Sequence, residues 1–96
     1  MDKLLFSTLH IKMLKFNYDT NRNSFILKDD ILNFTKNLNV EYYISDYKHE
    51  ECQENTGYYF SKYYLTIQIK TNDLQVSELT HYLTENNVYF KLEKLW

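Results

Sequence analysis

Proline and alanine are absent from this 96-residue chain, glycine and cysteine occur once each, and Arg22 is the sole arginine. Each absence removes a class of function. With Gly57 alone there is no glycine-rich phosphate loop and no dinucleotide-binding fingerprint, because both need several glycines where the backbone approaches the phosphates. Cys52 alone excludes an internal disulfide, and with His49 it falls short of the four-ligand spacing of a zinc site. A lone thiol also favours a reducing, cytoplasmic address. No stretch reaches the roughly 20 apolar residues of a membrane helix, since the longest candidate, Leu4 to Phe16, is broken by His10, Lys12 and Lys15. The opening Met1-Asp2-Lys3 has the charge but not the apolar core of a secretory signal. The expectation is a soluble cytoplasmic protein with no membrane partner.

Charge of one sign is lacking as well. A formal net charge of −2 gives no global field that would gather nucleic acid or an acidic membrane. Locally, Glu41, Asp46, Glu50, Glu51 and Glu54 stand against Lys48 alone, whereas the segment from Lys3 to Lys15 carries three lysines and His10. What the chain has in quantity is aromatic: ten tyrosines and six phenylalanines, enough with its Leu and Ile to offset the entropy of ordering one domain, 1–96. Plentiful Asn, Lys, Tyr, Leu and Ile without Ala or Pro is also what AT-rich coding produces, which fits a low-GC bacterium, its phages or its mobile elements.

Apolar periodicity predicts the elements. Leu5 to Met13 alternates with period two and is a strand; the large side chains then move to even positions, which predicts a bulge near Met13–Leu14. Asp19 to Ser24 is a turn-forming cluster, after which Ser24 to Lys28 either returns as an extra hairpin strand or leads into a helix. Leu27, Ile31, Phe34 and Leu38 have helical spacing, with Asp29 and Asp30 at the start. Val40 to about Lys48 is a strand, His49 to Gly57 a polar hairpin loop, and Tyr58 to Lys70 a long strand. Asn72 and Gln75 form a capping box for a helix over about Asp73 to Glu85, stopped at Asn86–Asn87, and Val88 to Glu93 closes as a strand. The order βαββαβ predicts an α+β, ferredoxin-like sandwich: two helices on one face of an antiparallel four-stranded sheet, first and third strands central.

In such a sandwich one sheet face stays open. The apolar phases put Leu9, Ile11, Val40, Tyr42, Ile44, Leu65, Ile67, Ile69, Val88, Phe90 and Leu92 in the core. They leave Thr8, His10, Lys12, Tyr43, Ser45, Tyr47, Tyr64, Thr66, Gln68, Lys70, Tyr89, Lys91 and Glu93 outside. Tyrosine combines large contact area with low entropic cost and a bonding hydroxyl, which suits it to interfaces.

Gly57-Tyr58-Tyr59-Phe60-Ser61-Lys62-Tyr63 resembles a degenerate third-strand motif of RNA-recognition-motif domains, matching at Gly57, Tyr58, Phe60 and Tyr63. It departs where Thr56 replaces a basic residue and Tyr59 a small one. The resemblance implies aromatic side chains that stack bases, although the strand phase turns Tyr63 toward the core.

Catalytic constellations are missing. Only His10 and His81 could serve Cys52 as a distant base, and the adjacent acids Asp29-Asp30 and Glu50-Glu51 diverge on regular elements. The sequence therefore predicts no cofactor, no metal and a non-enzymatic protein-binding module. One form it could take is a phage or mobile-element inhibitor of a host nucleic-acid-handling or defence protein, anti-CRISPR-like, with Tyr43, Tyr47, Glu50, Glu51, Glu54, Tyr64 and Tyr89 at the interface. The alternative is a single-stranded RNA or DNA binder that stacks bases on Tyr43, Tyr58, Phe60 and Tyr64 with Lys12 and Lys70 on phosphates. A homodimer through a bare edge strand is a third expectation.

Overall fold

The computed structural model describes residues 5–18 and 20–94. Strand β1 (Leu5–Phe16) leads through a 3-10 turn (Thr20–Arg22) to helix α1 (Lys28–Asn37), and strands β2 (Glu41–Gln53) and β3 (Tyr59–Thr71) form a hairpin. Helix α2 (Asp73–Glu85) and strand β4 (Tyr89–Lys94) follow. The sheet order is β2-β3-β1-β4 with every neighbouring pair antiparallel, which is the ferredoxin-like arrangement with the first and third strands central.

Local chemistry sets the helix ends. Asn72 accepts the N–H of Gln75 at 2.9 Å, and the Gln75 side chain accepts the N–H of Asn72 at 3.4 Å, the reciprocal pair that the sequence predicts. Gln75 also donates to the carbonyl of Leu38 at 3.1 Å, tying the start of α2 to the end of α1. At α1 the Asp30 carboxylate accepts the N–H of Leu27 at 3.3 Å, while the Leu27 side chain has no acceptor to offer in return. Asn39 and Asn87 sit at φ 56° and 57° just past the helices, a left-handed geometry that asparagine tolerates best among residues with a Cβ.

The core lies between the helices and the sheet: Leu9, Ile11 and Met13 from β1, Leu65, Ile67 and Ile69 from β3, Ile31, Leu79 and Leu83 from the helices, and Val88. Each such side chain, fully buried, contributes about 2 kcal/mol. Val40, Tyr42, Phe90 and Leu92 are half-buried around it, while Ile44 lies on the same face but is exposed at the sheet edge. Phe34 and Tyr82 stack at 3.9 Å where the helices meet.

Three expectations change. The bulge is not in β1, which pairs with β3 without interruption from Leu5 to Phe16; it lies in β2, between Ile44 and Asp46. One extra residue shifts the side-chain phase, so Tyr47 pairs with Leu65 and lies on the helix side of the sheet instead of the open face. The change of phase in β1 has a different cause: Phe16 is buried on the open face, under Phe60 and the Arg22 guanidinium, which stands 3.9 Å from its ring centre.

Secondly, β2 runs on to Gln53, so most of the expected loop is strand and the turn is confined to 54–58. Thirdly, the described residues between β1 and α1 form no additional hairpin strand. Instead Asn23 accepts the N–H of Phe16 at 2.6 Å and donates to its carbonyl at 3.2 Å, while the Ser24 hydroxyl accepts the N–H of Leu14 at 3.0 Å and the Ser24 N–H donates to the Leu14 carbonyl at 2.9 Å, so two loop residues complete the β1 edge beyond β4.

Candidate interaction face

Ladder register places open-face side chains in rows across the strands. One row runs Lys48, Tyr64, Lys12, Tyr89 over β2, β3, β1 and β4. Lysine and tyrosine alternate along it, with the Lys48 ammonium 5.1 Å from the Tyr64 ring centre and Lys12 5.3 Å from that of Tyr89. The adjacent row is Asp46, Thr66, His10, Lys91. Between the two rows His10, Lys12, Asp46, Lys48, Tyr64 and Thr66 line an open depression of about 460 Å³.

The face is mixed in charge. Lys12, Lys48, Lys62, Lys70 and Lys91 project from it alongside Glu41, Asp46, Glu50 and Glu93. Glu93 lies 3.4 Å from His10 and 3.7 Å from Lys91, and Glu50 3.2 Å from Lys48. Phe6, Tyr43 and Tyr89 are each about half exposed at its margins. The Tyr43 hydroxyl donates to Gln68 beside it in the ladder.

The residues that sequence reasoning assigned to an interface are therefore divided. Tyr43, Glu50, Tyr64 and Tyr89 share the open face, while Tyr47 and Glu51 point to the helix side. There Tyr47 carries Lys28 at 4.5 Å over its ring, and Glu51 accepts from Ser61 at 2.9 Å and pairs with His49 at 2.7 Å. His49 in turn stacks on Tyr63 at 4.5 Å. Glu54 sits in the turn, where it accepts from Arg22 at 2.8 Å and from the hydroxyl of Tyr18. The Tyr18 bond is the main reason its carboxyl is pulled below the usual range, and the same bond raises the Tyr18 phenol. The hairpin's acids are thus largely engaged within the chain.

The aromatics of the RNA-recognition-like segment do not form one platform. Phe60 stacks on Phe16 on the open face, Tyr58 packs against Tyr18, and Tyr63 lies on the helix side. Lys12 and Lys91 follow the strand phase onto the open face, whereas Lys48 reaches it only through the bulge in β2, which conceals it from any reading of periodicity. Cys52 opposes Phe60 in the ladder, with His49 on the other side of the strand, and His81 is paired on the surface with Glu85 at 2.9 Å. Among the described residues no group of three His, Cys, Asp or Glu side chains could hold a metal ion, and no helix is long and apolar enough to cross a membrane.

No family model and no curated protein matches the chain. Among solved structures it is similar to an unknown protein from Galdieria sulphuraria, with a TM-score of 0.48 and 11 % identity over 98 % of this chain and 51 % of that one. It is also similar to prephenate dehydratase from Streptococcus mutans, with a TM-score of 0.44 and 18 % identity over 97 % of this chain and 45 % of that one. The chain spans about half the length of either, and neither likeness bears on function.

Proposed function

We propose that this protein is a non-enzymatic module that binds a protein partner through its open sheet face. The observation that carries the reading is the composition of that face: exposed Phe6, Tyr43 and Tyr89 around lysines and carboxylates in near balance. Aromatic anchors within a mixed-charge surface suit a protein interface, whereas a nucleic-acid footprint is dominated by positive charge. An inhibitory role toward a nucleic-acid-handling or defence protein, of the anti-CRISPR kind, would act through this face, which carries Glu50, whereas Glu54 is held inside the chain by Arg22 and Tyr18.

The test compares capture of stoichiometric partners from lysate of the encoding cells by three forms of the immobilised chain. These are the native protein, a Phe6→Ala/Tyr43→Ala/Tyr89→Ala variant, and a Phe25→Ala/Leu74→Ala control whose exposed side chains lie outside that face. A partner held by the native protein and the control but lost by the first variant is expected. Absence of any stoichiometric partner, or its retention by the open-face variant, would refute the proposal.

The lysine–tyrosine row favours a second reading, a single-stranded RNA or DNA binder, because bases stack on tyrosine while lysine neutralises phosphate. It requires salt-sensitive binding of an unstructured oligonucleotide that Lys12→Glu/Lys48→Glu abolishes. An oligonucleotide that stays free at moderate salt excludes it.

A further inference from the structure

We propose that the outer edge of β2 pairs antiparallel with β2 of a second copy of this chain, on a twofold axis through His49. β2 is a sheet edge, so alternate N–H and C=O groups along it point outward unpaired. Among the described residues no backbone bond reaches the outer side of Asp46–Gln53, and the side chains from Asp46 to Glu51 are exposed. Beyond the bulge, this segment is an unbroken ladder with β3, so it is a regular template for a further strand.

Symmetry restricts the pairing. Residues directly opposite each other in an antiparallel pair share a face, so the axis must pass through a residue and not between two. Centred on Lys48, the arrangement sets Lys48 against itself and Asp46 against Glu50; centred on Glu50, it sets Glu50 against itself. Like charges directly opposite are destabilising. Centred on His49, Lys48 of each copy meets Glu50 of the other, and Tyr47 meets Glu51, where a phenol can donate to a carboxylate. Axes nearer either end are cut short by the bulge after Ile44 and by the end of the strand at Gln53. The His49 axis therefore combines seven continuous ladder residues, Asp46 to Cys52, with two opposite-charge pairs. The product is an eight-stranded sheet whose two open faces join. This inference is independent of what the open face binds.

The register predicts a cross-link. Asp46 lies opposite Cys52 of the second copy, at the Cβ separation of a cross-strand pair, which a disulfide can span. Within one chain the two are about 20 Å apart along the strand, so no internal bond can form. On mild oxidation Asp46→Cys should give a covalent dimer on non-reducing gels, lost in Asp46→Cys/Cys52→Ser, and the native chain should sediment as a dimer. Lys48→Glu should weaken association about tenfold, with recovery in Lys48→Glu/Glu50→Lys. A native chain that sediments as a monomer at high micromolar concentration would overturn the proposal. So would a dimer in which Asp46→Cys does not cross-link, or one in which Glu50→Cys cross-links to itself instead.

Discussion

Phe16 and Phe60 stack at 4.6 Å, with planes 17° apart, on the side of the sheet that neither helix covers. Arg22 and Tyr18 close over Phe16, leaving it 2 % exposed. The loop after β1 thus supplies a small second core at the end of the sheet remote from β4, where the hairpin extends the molecule to 53 Å.

That second core should matter to stability. Phe16→Ala removes a buried ring, and with it the surface on which Phe60 stacks and the Arg22 guanidinium rests, at a cost of about 3 kcal/mol. Urea denaturation of the variant should show a lower midpoint, and loss of order over Arg22 to Ser24 should appear as faster amide exchange there. A change below about 1 kcal/mol would mean that the ring's surroundings collapse to fill the space.

How much of this was legible in the sequence follows from which residues bury one face. β1 as far as Met13, β4 and α2 alternate or repeat cleanly because one side packs on the core, and the capping pair Asn72 and Gln75 marks its helix unambiguously. The outer half of β2 does not, because its segment from His49 to Gln53 projects past the helices and both faces meet solvent or polar neighbours. With no apolar phase to read, a strand looks like a loop. The bulge after Ile44 is invisible for the same reason, and Tyr47 changed face with it. The Lys48, Tyr64, Lys12, Tyr89 row required four strands in register and could not be found along any one of them.

Ser7 offers a contrary prediction. Its side chain is fully buried and its hydroxyl has no hydrogen-bond partner among the described residues. Removing a polar atom that loses its water on folding and gains nothing in return should stabilise the chain, so Ser7→Ala is expected to raise stability by about 1 kcal/mol in thermal or urea unfolding. A loss of stability instead would place a bonding partner on that hydroxyl.

Gln75 ties three things together: the cap of α2, the Thr71 hydroxyl at 2.6 Å and the end of α1 through Leu38. Gln75→Ala should cost about 2 kcal/mol, more than the roughly 1 kcal/mol that an isolated cap is worth, because the Leu38 carbonyl is also left without its donor. Asn72→Ala, which removes the cap acceptor and keeps the bond to Leu38, should cost only the roughly 1 kcal/mol of an isolated cap. Equal losses in the two variants would show that the bond to α1 contributes nothing.

The hairpin turn depends on Gly57, whose φ of +92° lies where side chains are strained although no atom stands within 4 Å of an added Cβ. Gly57→Ala should therefore destabilise by about 1 kcal/mol through backbone geometry alone. The effect should be local, read as faster exchange of the amide of Glu54, which donates to the Tyr58 carbonyl at 2.7 Å, and of residue 57, which donates to the Glu54 carbonyl at 2.9 Å.

Glu54 and Tyr18 give the turn region a pH signature. The carboxyl of Glu54 is held below its ordinary value of 4.5, chiefly by the Tyr18 hydroxyl and then by Arg22. Its contribution to stability is present above that ordinary value and is lost as pH falls through the lowered folded value. The phenol of Tyr18 is raised above its ordinary 10.0, chiefly by its bond to Glu54. Its contribution is complete below that value and is lost as pH rises through it toward the raised folded value. The pair therefore supports folding across the neutral range and withdraws at both extremes. Tyr18→Phe keeps the ring but deletes the hydroxyl, so the difference in urea midpoint between native and variant should be flat near neutrality and shrink toward both acid and alkali. Arg22 remains beside Glu54 in the variant, so part of the acid limb should persist while the alkaline limb attributable to Tyr18 disappears. A difference that stays constant across the whole range would mean that the hydroxyl is bound to solvent rather than to Glu54.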